Sequence, residues 1–325
     1  MMRGLVQPMA SALVGLLLAA GGAAAQSDYP SRAVRIVVPS SPGGGTDILA
    51  RVLADYLAKS LRGQFYVENR PGAGQMIGIE AVAHAAPDGY TLLMAASTLS
   101  LNPVMYKNVK YDPVHDFAPV SLVASVPNVL VVHPSVPART LAELIALAKQ
   151  KPGQMSYASA GIGTSPHMGM ELLKSMAGID MQHVPFRGTA PAVTEILSGR
   201  IPAGLSNTFT AMPLIEGGQL RALAVTGRKR AESMPTVPTV AEAGVPNYEA
   251  LQWYGLLAPA GTPPEIVERL QAEVAQALKT PEVKERLAGD GAEPVGSTPA
   301  EFLALIKDEL QKWSDVARAA NIQPQ

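Results

Sequence analysis

The sequence predicts an α/β protein of two domains. Three observations carry that reading. The chain has 325 residues, more than one ordinary core holds. Short β-rich runs alternate with helical apolar stripes, the pattern of a sheet with crossover helices. Twice, in Val34 to Leu53 and in Met155 to Leu173, a strand delivers a glycine turn straight into a helix.

The elements follow in chain order. Arg3, an apolar stretch from Ala10 to Ala20, and Ala23 and Ala25 in an A-x-A arrangement read as a secretory signal peptide over residues 1–26, cleaved near Ala25/Gln26. The apolar stretch is short for a membrane span, and no later segment reaches spanning length, so a soluble periplasmic protein is expected. Val34–Val38 reads as a buried strand ending in Pro42-Gly43-Gly44-Gly45. The helix after it carries the stripe Ile48, Leu49, Val52, Leu53, Tyr56 and Leu57. Phe65–Val67 and Thr91–Ala95 are further strands. A long extended run, Val120 to His133, is broken by Pro127. Thr140 with Glu143 reads as a capping box. Met155–Ala158, Met181–Val184, Leu220–Val225 and Trp253–Ala258 complete the strands. The tail is helical, with boxes expected at Thr262/Glu265 and Thr298/Glu301 and apolar stripes through Leu270 and Trp313.

Composition excludes several functions. A net charge of −1 gives no reason to expect a nucleic-acid partner. With no cysteine there is no disulfide, thiolate metal site, cysteine nucleophile or lipidated cysteine. His84, His115, His133 and His183 make no metal-ligand spacing, so no metal or cofactor is expected. No G-x-S-x-G elbow occurs, and neither glycine loop continues as a P-loop. No catalytic residue is assigned. Asp47, at a helix start, is explained by favourable contact with the dipole.

The two glycine loops share G-x-G-T: Gly43-Gly44-Gly45-Thr46 before Asp47, and Gly161-Ile162-Gly163-Thr164 before Ser165. Glycine lets backbone approach a ligand, and the first N–H groups of a helix lack intrahelical partners. With the helix dipole they suit an anion. One such loop alone is more often a tight turn before a capped helix. Two matched loops, one per domain, look like two jaws of one cleft. His167 stands in the first turn after the second loop, either as a polar residue of that turn or as a group approaching the cleft.

At these loops the sequence resembles the solute receptors of tripartite tricarboxylate transporters, the Bug receptors. The matching stretches include Pro42-Gly43-Gly44-Gly45-Thr46-Asp47, Asn69-Arg70-Pro71-Gly72-Ala73-Gly74, Pro87-Asp88-Gly89-Tyr90-Thr91-Leu92, Gly163-Thr164-Ser165-Pro166-His167 and His183-Val184-Pro185-Phe186-Arg187-Gly188. They run in order over the whole mature chain. The resemblance implies a Venus-flytrap, type II-like periplasmic-binding fold, each domain a mixed sheet flanked by helices, with the ligand cleft between them. Domain 1 would be residues 27–124 plus 251–325, and domain 2 residues 125–250. It implies a carboxylate ligand held by Gly44, Gly45, Thr46, Ser159, Gly163 and Thr164; Asp47, Ser165, His167, Ser206 and Asn207, beside these loops or in the stretch 204–208, are further candidate ligand-binding residues. Many members have an aspartate where this chain reads Ser206-Asn207, so an amino-acid ligand is not expected here. Di- or tricarboxylates and aromatic carboxylates remain open. Membrane transporter subunits are the implied partners of a monomeric, non-catalytic receptor. A sensor that presents its ligand to a membrane signalling protein is the alternative.

Overall fold

The computed structural model describes residues 29–43, 45–186, 188–289 and 291–324, so the signal-peptide reading and Gly44 lie outside the described residues. The first half runs β1 (Val34–Val38), α1 (Gly45–Ser60), β2 (Phe65–Asn69), α2 (Met76–Ala83), β3 (Thr91–Ala96), α3 (Thr98–Met105) and β4 (Phe117–Val132). Next come α4 (Leu141–Gln150), β5 (Ser156–Ser159), α5 (Ser165–Ala177), β6 (Gln182–Pro185), α6 (Thr189–Leu197), β7 (Ala203–Asn207), α7 (Thr208–Glu216) and β8 (Arg221–Val225). The chain ends with β9 (Leu251–Pro259), α8 (Pro264–Ala277), α9 (Pro281–Gly289), β10 (Glu293–Pro294) and α10 (Pro299–Ala319).

Two sheets meet on one strand. Along the path β2-β1-β3-β9-β4-β7-β5-β6, the first three strands are parallel and β9 is antiparallel to both neighbours. β4 pairs with β9 from Phe117 to Pro127, then with β7 and β8 from Asn128 to Val132. β5 is parallel to β6 and β7 in the second sheet. The expected break at Pro127 is therefore a change of partner within a continuous strand. Proline has no N–H to donate, so a ladder ending there loses nothing.

Each sheet has its own core. On the first, Leu49, Leu53 and Leu57 of α1 bury against Ile36, Leu92 and Met94, with Leu270 and Val274 of α8. On the second, Leu144, Tyr157, Met168 and Leu205 form the centre. α10 joins two clusters: Phe302 and Ile306 pack with Leu93 and Trp253 in a third one, while Trp313, Val316 and Ala317 join the second core.

Two expectations need correction. The boxes at Thr140/Glu143 and Thr298/Glu301 form, but the one at Thr262 does not. The helix starts one residue later, with Pro263 at its N-cap, and the Thr262 hydroxyl turns back to the Pro259 carbonyl at 2.8 Å. β7 was not foreseen as a strand, because Ala-Gly-Leu-Ser-Asn has no β-branched residue. Burial between β4 and β5 overrides that weak propensity.

Candidate functional site

Loop 1 leaves β1 and enters α1 at Gly45. Gly43, at φ 86°, donates its N–H to the Asp47 carboxylate at 2.9 Å. That carboxylate also takes Arg51 through Nε (3.1 Å) and Nη2 (2.9 Å), and Asn69 Nδ2 at 2.9 Å. A carboxylate offers about four acceptor sites, and four donors fill them. Asp47 is 2% exposed. Burial by itself would raise its pKa, but the hydrogen bonds from Arg51, Gly43 and Asn69 outweigh it and hold the carboxyl below its usual range. Asp47 thus shapes the loop from behind. Thr46 is buried beside it. Gly45 packs against β9: a methyl group there would lie 2.6 Å from the Tyr254 hydroxyl.

Loop 2 leaves β5 at Ser159 and enters α5 at Ser165. Gly163, at φ 76°, donates to His167 Nδ1 at 3.1 Å. The Ser159 hydroxyl accepts from the Gly161 N–H at 3.1 Å and lies 2.6 Å from His183 Nε2. The Thr164 hydroxyl donates to the Gly161 carbonyl at 2.7 Å, so it closes its own loop and leaves the helix N-terminus uncapped by a side chain. His167 is 4% exposed; burial, then the charge of Lys174, push its pKa down to about 4, so the ring is neutral at neutral pH.

The loops connect through β4 and β7. Asn128 stands opposite Asn207 in the ladder, just past the change of partner at Pro127. Asn128 Nδ2 donates to the Ser165 hydroxyl at 2.9 Å, at the start of α5. Asn207 caps α7 through Thr210 N–H at 2.9 Å and also lines a cavity of about 160 Å³ with Gly43, Gly45, Gln252 and Tyr254 over an apolar wall that includes Ile48 and Val126. No charged side chain lines this cavity among the described residues. Asn128 Oδ1 and Ser206 Oγ are buried with no hydrogen-bond partner among the described residues. Buried polar atoms left this way cost about 1–3 kcal/mol each, and Ser40 Oγ, Ser100 Oγ and Trp253 Nε1 are in the same state. A larger cavity, about 910 Å³, lies between α1 and α9, lined by Val52, Tyr56 and Val283, away from both loops.

Of the residues expected from sequence, Gly45 and Asn207 line the small cavity. Thr46, Asp47, Ser159, Gly163, Thr164, Ser165, His167 and Ser206 do not; of these, Ser165 is tied towards it by Asn128, which stands opposite Asn207 in the ladder. Gln252, Tyr254, Asn128 and His183 were not singled out for the site. The one signal available was Asn128, a polar residue after Pro127 inside an apolar run.

Residues 49–322 match the family model described as tripartite tricarboxylate transporter family receptor. The protein BugT of Bordetella pertussis is 38% identical over 312 residues, covering 94% of this chain and 96% of BugT. The solved structure of R. palustris Rpa4515 with adipate has a TM-score of 0.78 at 38% identity, covering 92% of this chain and 100% of that one. MatC (Rpa3494) from Rhodopseudomonas palustris with bound malate has a TM-score of 0.73 at 34% identity, covering 89% and 99%. The resemblance read from the motifs and the two-domain periplasmic-binding architecture are both borne out. These relatives are solute-binding receptors and not enzymes, and no described helix is long and apolar enough to cross a membrane. The chain belongs to the tripartite tricarboxylate transporter receptor family.

Proposed function

We propose that this chain is an exported, monomeric periplasmic receptor that closes two lobes over a small organic acid and delivers it to the membrane subunits of a tripartite transporter. The observation that carries this reading is the pair of braced glycine loops, one on each sheet, joined at Asn128–Asn207 beside two unsatisfied buried polar atoms. Two helix N-termini and their loop N–H groups supply partial positive charge for a carboxylate without any arginine. Gly44, Gly45, Thr46, Ser159, Gly163, Thr164, Ser165, Ser206 and Asn207 form the clamp, and Asp47 and His167 hold its two halves in shape. The lobes are residues 27–124 with 251–325, and 125–250; the change of partner along β4 and the return through β9 support that division.

The ligand is small and lacks an amine. No carboxylate lines the small cavity to pair with an ammonium group, and the family resemblance puts Ser206-Asn207 where many members carry an aspartate. Relatives holding adipate and malate support a carboxylate of few carbons. Calorimetry and melting curves against four- to six-carbon dicarboxylates, citrate, benzoate, aspartate and glutamate test this. An amine-free acid raises the melting temperature, because a ligand that binds the native state stabilises it. Micromolar binding of aspartate or glutamate, with none for any amine-free acid, overturns it.

A further inference from the structure

Loop 2 is braced by two histidines that carry no ligand contact in the reading above. The His167 ring lies over the His183 ring at 4.0 Å with planes 22° apart, and His183 in turn stacks on Tyr157 at 5.0 Å. One ring holds the loop at Gly163, through Nδ1. The other meets the Ser159 hydroxyl through Nε2, which donates, because that hydroxyl gives its own proton to the Gly161 carbonyl. An imidazole that accepts at Nδ1 carries its single proton on Nε2, and a protonated imidazole has no acceptor left. The Gly163 bond therefore depends on a neutral His167, whereas a bond donated by His183 Nε2–H survives protonation.

We propose that His167 and His183 are positioning residues for ligand capture: as a neutral stacked pair they hold loop 2 in the shape that offers its N–H groups to a carboxylate, a role that rests on the receptor reading above. Protonation of His167 removes the acceptor for Gly163, and protonation of either ring sets a charge against its partner. The titratable groups facing the pair are Lys174 and Glu171 from α5 and Tyr157 from β5. Glu171 would favour a charged His183, but it is occupied by Lys174 at 2.8 Å and by the Tyr157 hydroxyl. Burial leads, followed by the neighbouring His167, in pushing His183 down to about 4, the same value as its partner. The brace is thus intact at neutral pH and opens in acid.

Three measurements on the mature chain test the pair. Ring-nitrogen NMR without ligand should show His167 as the Nε2–H tautomer near pH 7, titrating about two units below an ordinary histidine. Amide exchange at Gly163 should be nearly the same in wild type and His167→Asn, whose Oδ1 replaces Nδ1, and at least about tenfold faster in His167→Leu. Adipate, the acid one relative holds, is titrated against wild type and His167→Asn. Between about pH 6 and 4, adipate affinity should fall further in wild type than in His167→Asn, and comparing the two removes the acid's own titration. An Nδ1–H tautomer, a His167 charged near pH 6, or a Gly163 amide as protected in His167→Leu as in wild type overturns the brace. If His167→Leu does not fold, the wild-type ring spectrum and His167→Asn still decide. If adipate binds none of them, the choice of acid is wrong while the ring and amide data stand.

Discussion

Loop 1 is braced by a charged acceptor and loop 2 by a neutral one. In each, a glycine of positive φ, Gly43 or Gly163, lies two residues before the helix and donates its N–H to the side chain four residues on, Asp47 or His167. The geometry is shared and the chemistry is not. Asp47 can stay ionised while buried because Arg51 and Asn69 surround it. Among the described residues loop 2 has no such donor, since Lys174 is held by Glu171. A neutral ring there also adds no negative charge beside a ligand carboxylate. The comparison resets the motif register: the shared G-x-G-T aligns Gly43 with Gly161, whereas the fold aligns Gly43 with Gly163 and Asp47 with His167.

The sharpest way to break this comparison is to neutralise the charged brace. Asp47→Asn leaves Arg51 unmatched and sets an NH₂ group among donors. Arg51 is half exposed, which discounts the loss, so about 2–4 kcal/mol of stability should go. His167→Asn keeps an acceptor and should cost less than about 1 kcal/mol. Urea unfolding of both variants checks the pair, and equal losses would show that the braces are not chemically distinct.

Acid should separate the loops next. The folded-state pKa of His167 lies below the unfolded value, so the unfolded chain binds more protons as pH falls from about 6.5 to 4. Its contribution is fully present above about 6.5 and is lost through that window, on the order of 3 kcal/mol. Asp47, with a lowered pKa, keeps its contribution until the pH falls below the ordinary aspartate range. Unfolding midpoints of wild type and His167→Asn should therefore diverge within the histidine window. Parallel curves would remove His167 from the acid response.

Glycine serves the two loops for different reasons, which gives a smaller effect. Gly45 is glycine for space, because a methyl group would meet the Tyr254 hydroxyl at 2.6 Å. Gly163 is glycine for its φ of 76°, with Met105 in addition 3.1 Å from an added methyl group. Alanine at either should cost about 1–2 kcal/mol. Tyr254→Phe should recover much of the Gly45→Ala loss, while Met105→Ala should recover little at Gly163, since backbone strain stays. Melting curves of the two double variants read the difference, and equal rescue would refute it.

Sequence made the scaffold plain and the site only partly so. Runs such as Val34–Val38 and Thr91–Ala96 announce themselves by their apolar and branched residues, and Thr140 and Thr298 by their glutamate partners. The glycine loops were visible because glycine is needed locally. What braces them was not, since the partners are far apart in the chain: Asn69 reaches Asp47, His183 reaches Ser159, and Asn128 reaches Ser165. Only the folded sheet brings them together. The register error has the same origin. A motif matches letters, whereas the helix start is set by which residue can give up its N–H to a side chain one turn later.

The smallest effect concerns the two threonines that the motif pairs and the fold does not. Thr46 is the second residue of α1, buried in its first turn. Thr164 precedes α5, and its hydroxyl bonds the Gly161 carbonyl at 2.7 Å. That carbonyl also accepts the Thr164 N–H at 3.3 Å and the Ser159 hydroxyl at 3.2 Å. Thr164→Val therefore removes one of three bonds and should cost about 1 kcal/mol of stability without ligand. Thr46→Val should act chiefly on affinity for a bound acid, if its hydroxyl meets the carboxylate as the clamp reading has it. The residues stand at the starts of different helices, α1 and α5, so their effects on stability should add to within about 0.5 kcal/mol. Urea unfolding of the two single variants and the double variant measures this. A coupling above about 1 kcal/mol would mean that the two hydroxyls share a partner, as the letter-by-letter alignment of the loops requires and the structural register does not.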